Sequence, residues 1–114
     1  MRRSSEVTIT ASGSRCAEQL ARFFPHTKPV CIPVQVTVVR TGNALPPEET
    51  LVEFGGLEHA IFVSGLPLEF DDRVRIGRDR NGSPAEAAVI AVQYHDGCKA
   101  VAVRFLDGPC DWVA

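Results

Sequence analysis

The stretch Pro29 to Arg40, PVCIPVQVTVVR, constrains the fold more than any other part of the sequence. Val30, Ile32, Val34, Val36 and Val38 recur at every second position, with Cys31, Pro33, Gln35, Thr37 and Val39 between them. A period of two sends alternate side chains to opposite faces, so the stretch predicts a long β-strand with one face in a core. Pro33 has no N–H to give to a ladder. Its donor side must therefore lie at an edge or near a strand start.

Downstream, short apolar runs alternate with turn-forming residues. Thr41 to Glu49 is a loop by composition. Thr50 to Phe54 predicts a short strand, Gly55-Gly56 a bend or bulge, and Leu57 to Val63 a further strand. Gly65 and Pro67 mark a turn, with Leu66 and Leu68 tucked under the sheet. Arg73 to Arg78 alternates again, with Val74 and Ile76 on the apolar side. Asn81-Gly82 is a hairpin signal. The alanines of Ala85 to His95 would suit a helix. However, Val89, Ile90, Val92 and Tyr94, followed by Asp96-Gly97, favour a strand. Lys99 to Leu106 returns with Val101, Val103 and Phe105 on its inner face. Trp112 is expected to plug the end of the sheet assembly.

These segments predict an all-β fold, a small antiparallel β-barrel of six strands with turn signals about every 8–12 residues. Upstream, Val7, Ile9 and Ala11 alternate in a polar stretch that reads equally as a marginal strand or a tail. Arg15 to Phe24 carries a helical stripe, with Ser14 placed to cap it and Pro25 to end it. The expected organisation is a tail and short helix over residues 1–28, then a barrel domain over 29–114.

Composition narrows function by exclusion. A chain of 114 residues that is 45% hydrophobic has the size and apolar content for one domain with a real core. The formal net charge of -2 gives no general attraction to DNA or to an anionic membrane. No apolar run approaches the roughly 20 residues of a membrane helix. Arg2-Arg3 has no apolar segment behind it, so a secretory signal is not expected and a cytoplasmic location is the default. The four cysteines, Cys16, Cys31, Cys98 and Cys110, form no C-x-x-C pair and lie far from the three histidines. Reduced thiols, not a metal site, are expected.

No enzyme is expected either. Asp71 and Asp72 are adjacent, so on a strand they would face opposite ways. Ser64 lacks the surroundings of a strained nucleophile, and Cys110 has no activating cation beside it. Arg73, Arg75, Arg78 and Arg80 alternate with Asp71, Asp72 and Asp79. A solvated, charge-paired outer face is the expected reading, against an anion or partner patch.

Four stretches together resemble the PilZ domain, a family of small β-barrels. They are CIPVQV, TLVEFGGLEHAIFV, LPLEFDDRVRIG and AEAAVIAVQYHDGCKAVAVRFLDGPCDW, spanning about residues 30–112. The resemblance implies a place in cyclic di-GMP signalling. In that family the nucleotide is held by an R-x-x-x-R motif before the first strand and a [D/N]-x-S-x-x-G motif in the middle strand pair. Guanidinium groups clamp phosphates and fork to guanine, while the small polar residues admit the base edge. Here Phe54, Gly56 and His59 stand in the acidic, serine and glycine places of the second motif. Arg22, His26 and Lys28 are the only nearby cations where the first should be. The resemblance with both motifs eroded implies a regulatory or adaptor domain acting through a protein partner or weak cyclic di-GMP binding, with no cofactor. The alternative is another small barrel, SH3-like or OB-like, that binds a peptide or single-stranded nucleic acid. An aromatic content of 7% speaks against a base-stacking groove.

Overall fold

A computed structural model describes residues 16–39, 45–78 and 84–108 of the chain. The strands are β1 (Lys28–Val39), β2 (Glu48–Gly55), β3 (His59–Val63), β4 (Arg73–Gly77), β5 (Ala85–His95) and β6 (Cys98–Phe105). They close into a barrel in the order β1-β2-β3-β6-β5-β4, with every neighbouring pair antiparallel. The six-stranded antiparallel barrel read from the sequence is the fold observed. The Asn81-Gly82 turn and Trp112 lie outside the described residues.

Alternation places the core. Val34, Val36 and Val38 of β1 point inward, as do Phe62, Val74, Ile76, Val89, Val101, Val103 and Phe105. Leu68, in the segment before β4, fills the barrel from one end, with Leu66 packed partly beside it. Pro33 sits where β1 pairs only with β2, since the described pairing with β4 begins at Gln35. The missing donor therefore falls on the unladdered side. The Asp96-Gly97 hairpin forms with both central residues at positive φ, 51° and 78°. That geometry matches the twist of the strands it joins.

Three register shifts interrupt the described pairings, between Pro29 and Ile32 of β1, Val52 and Phe54 of β2, and Val89 and Ala91 of β5, and the last two matter below. In β2, Val52 faces Phe62 and Phe54 faces Ile61, so Glu53 is an extra residue. Phe54 is thereby turned from the interior to the outer face, where it packs with Ile61. In β5, Val89 faces Val103 and Ala91 faces Ala102, so Ile90 is extra. Ile90 and Ala91 consequently both pack on the outer cluster, and Val92 returns to the interior. Of the bend or bulge expected at Gly55-Gly56, the structure has the bend, and the bulge lies at Glu53. Gly56 starts a tight turn, its N–H donating to the His59 carbonyl at 2.9 Å. That turn takes Leu57 and Glu58, which is why β3 begins at His59.

The described helix, α1, covers residues 16–21. Arg22, Phe23 and Phe24 then donate to the carbonyls of Gln19, Leu20 and Ala21. These i to i−3 bonds tighten the last turn and end the regular helix before Pro25. Helix α1 lies outside the barrel. Cys16, Ala17 and Leu20 pack on Ile61, Ala100 and Ala102, the outward residues of β3 and β6. At the far end of β3, Glu48 ties down the next segment: Ser64 Oγ donates to its Oε1 at 2.6 Å and the Gly65 N–H to its Oε2 at 2.7 Å. Lys99 Nζ donates to the Leu66 carbonyl in the same place. On the outer face Arg75 pairs with Glu86 at 3.3 Å across β4 and β5, a partner other than the aspartates that alternate with the arginines in sequence.

Among the described residues, Phe62 is the largest fully buried side chain. Phe62→Ala is expected to lower unfolding free energy by about 3–5 kcal/mol, and Leu51→Ala, 41% exposed, by under about 1 kcal/mol. Urea titrations of the two variants check this. Equal losses would contradict the interior assignment.

Candidate functional site: a histidine pair at the barrel mouth

The turn between β2 and β3 and the connector from α1 to β1 meet at one end of the barrel. The connector is shaped locally. The Thr27 N–H and hydroxyl both donate to the Phe24 carbonyl, at 2.9 and 2.6 Å, folding residues 24–27 into a compact turn around Pro25. This turn presents His26 to His59, the first residue of β3. His26 Nε2 and His59 Nδ1 are 2.7 Å apart, a hydrogen bond in which one ring donates and the other accepts. The rings meet edge to face, with centroids 4.7 Å apart and planes at 62°. Phe24 lies behind them, 5.2 Å from the His59 ring.

Gly56 permits this approach. A Cβ there would sit 3.4 Å from the His26 carbonyl oxygen and 3.6 Å from its ring Cδ2. A methyl group would fill that gap, and a branched side chain would push the connector away. Beside the pair is an open cleft of about 430 Å³, lined by His26, Leu57, Glu58 and His59. Arg104 of β6 stands opposite His59 in the strand register.

The electrostatics favour a neutral His59. Burial depresses its pKa below the usual 6.5 first, and the neighbouring His26 adds to that. Glu58 opposes the shift and Arg104 reinforces it. The arrangement can hold a proton between two imidazoles, donate or accept one hydrogen bond into the cleft, and stack a planar group. The described residues that line the cleft include no serine, threonine or cysteine. Among the described residues, no group of three histidine, cysteine or acidic side chains is placed to hold a metal.

Of the six residues singled out in the sequence, His26, Gly56 and His59 come together here. Lys28 is exposed and pairs with Gly55, one residue from the turn. Arg22 is exposed in the turn after α1. Phe54 faces away from the cleft, among the residues under α1. Phe24, Leu57, Glu58 and Arg104 were not foreseen. Arg104 joins only through the β3–β6 register, and Phe24 looked like one more residue of a helical stripe.

No protein-family model matches this chain, and no curated protein matches it. Among the described residues, no helix is long and apolar enough to cross a membrane.

With its folded pKa depressed, His59 makes stability complete above about pH 6.5. The unfolded chain takes up the proton first, so stability declines as pH falls from there through the lower folded value. His59→Gln is expected to flatten that decline in pH-dependent urea melts. In an NMR titration the His59 ring should titrate below 6.5 and move upward in His26→Ala. A His59 transition above 6.5 in the native chain would overturn the assignment.

Proposed function

We propose that this chain is a PilZ-like regulatory domain of cyclic di-GMP signalling that works as an adaptor. It acts through protein contact, and binds the nucleotide weakly or not at all. The observation that carries the reading is what occupies the mouth. Where the resemblance places a nucleotide-reading motif, Gly56 and His59 are engaged by His26, and Phe54 packs beneath α1. No guanidinium fork faces that position from the connector, which offers an exposed Arg22 and Lys28. Lysine does not reproduce a bidentate, stacking arginine. Each lost charge-assisted contact is worth roughly 1.5–3 kcal/mol, so two or three together remove several decades of affinity.

Six strands in a closed barrel support this reading over an OB-like module, which has five. Protein contact is supported by apolar side chains left outside, including Phe23 at 75% exposure beside the connector and Leu51 opposite Pro33. The reading is non-enzymatic and goes with a cytoplasmic location.

Calorimetry with cyclic di-GMP is expected to show no sub-micromolar binding. Sub-micromolar affinity would sink the adaptor reading. Where weaker heats are measured, Arg22→Ala with Lys28→Ala should reduce them further. Unchanged heats in that double variant would place the phosphate contacts elsewhere on the barrel.

A further inference from the structure

The described part of helix α1 starts at Cys16, which is wholly buried against the barrel. Its Sγ lies 3.4 Å from the carbonyl oxygen of Cys98 and 3.8 Å from that of Gln93, at sequence separations of 82 and 77. Cys98 is the first residue of β6, paired with His95 across the hairpin, and it packs in the same apolar cluster as Cys16. Cys16 is closed to solvent, whereas Cys98 is half-buried. Two cysteines thus neighbour one another in one apolar cluster, one closed to solvent and one half-buried, where the helix meets the β5–β6 hairpin.

We propose that Cys16 and Cys98 form a modification site, a dithiol that a small disulfide oxidant of the glutathione class converts to a disulfide joining α1 to β6. The Cys98 thiolate attacks one sulfur of the oxidant and expels a glutathione thiolate, leaving a mixed disulfide. The Cys16 thiolate then attacks the Cys98 sulfur and expels the second. The two protein thiols lose two electrons and two protons, and the oxidant gains both as two free thiols. Burial pushes the Cys16 thiol up to about 12, with the Cys98 side chain and charge reinforcing it and Glu53 adding a little. The Ala100 backbone opposes the shift. The second step is accordingly slow and limited by the thiolate fraction. The site does not depend on the adaptor reading, and failure of either leaves the other standing.

The test uses the full chain with Cys31→Ser and Cys110→Ser, so that only this pair can react. The protein is equilibrated in glutathione buffers of increasing oxidised fraction, quenched with acid, alkylated and digested with trypsin without reduction. With oxidised glutathione in excess, the fragment of residues 16–22 should be recovered joined to that of 81–99. The closure rate should rise about tenfold per pH unit between roughly pH 7 and 9. The unfolding midpoint should rise by about 10 °C and fall back on reduction. Cys98→Ser, shown by circular dichroism to keep its strands, should gain neither the linked fragment nor the shift. Recovery of both thiols alkylated, or of glutathione on Cys98 beside a free Cys16, would overturn the proposal. So would the same shift in Cys98→Ser.

Discussion

The structure depends on one side of one strand pair being apolar on both faces. Strand β6 buries Val101, Val103 and Phe105 inside the barrel, and Ala100 and Ala102 are equally buried outside it. A barrel strand with water on its outer face would alternate apolar and polar residues. Here the outer face is small and dry, so something must cover it. Helix α1 does so with Cys16, Ala17 and Leu20. The alanines keep the sheet surface low enough for the helix to approach, and Ile61 fills the space beside them. The described part of α1 is held by this packing as much as it covers the sheet.

This explains which parts of the fold were readable in advance. Strand β1 has an exposed outer face and a Val or Ile at every inward position, so its period of two is plain in the sequence. The Asp96-Gly97 turn is equally plain, because few residue pairs tolerate two positive φ angles in succession. The alanine-rich β5 gave a mixed signal, since it packs residues on both faces. The bulges at Glu53 and Ile90 left no separate mark. A bulge is a mismatch between two strands, so it exists only in their pairing. Phe54 shows the consequence. Counting from Thr50 by twos puts it inside with Val52, but the extra residue sends it outside, away from the mouth where its place in the sequence suggested it belonged.

The mouth was partly legible for the same reason. Gly56 and His59 are close in sequence, and a glycine before a short strand is a visible punctuation mark. Pairing His59 with His26 requires α1, the 24–27 turn and the barrel register all to be in place, since 33 residues separate the two rings. No local pattern encodes that. The bare position at Gly56 and the seated connector are one feature seen at two levels. Gly56 has no side chain to offer a ligand, and the room it leaves is taken by the backbone of His26.

The N-terminal segment is therefore fixed by different chemistry at its two ends. Near the β5–β6 hairpin, Cys16 bonds to the carbonyls of Gln93 and Cys98, and the Gln93 side-chain amide donates to Gln19 Oε1 at 3.1 Å. At the mouth the fixing group is an imidazole pair that needs at least one neutral ring. Between them lies Leu20, whose apolar contact is indifferent to pH and to oxidation. Protonation at one end and thiol chemistry at the other can each change how firmly the segment is held without disturbing the barrel interior, which shares no side chain with either. Phe23 is exposed just before the mouth, and Arg22 and Lys28 flank it. A partner that reads this connector would sense both ends through one short stretch of chain, residues 22–28.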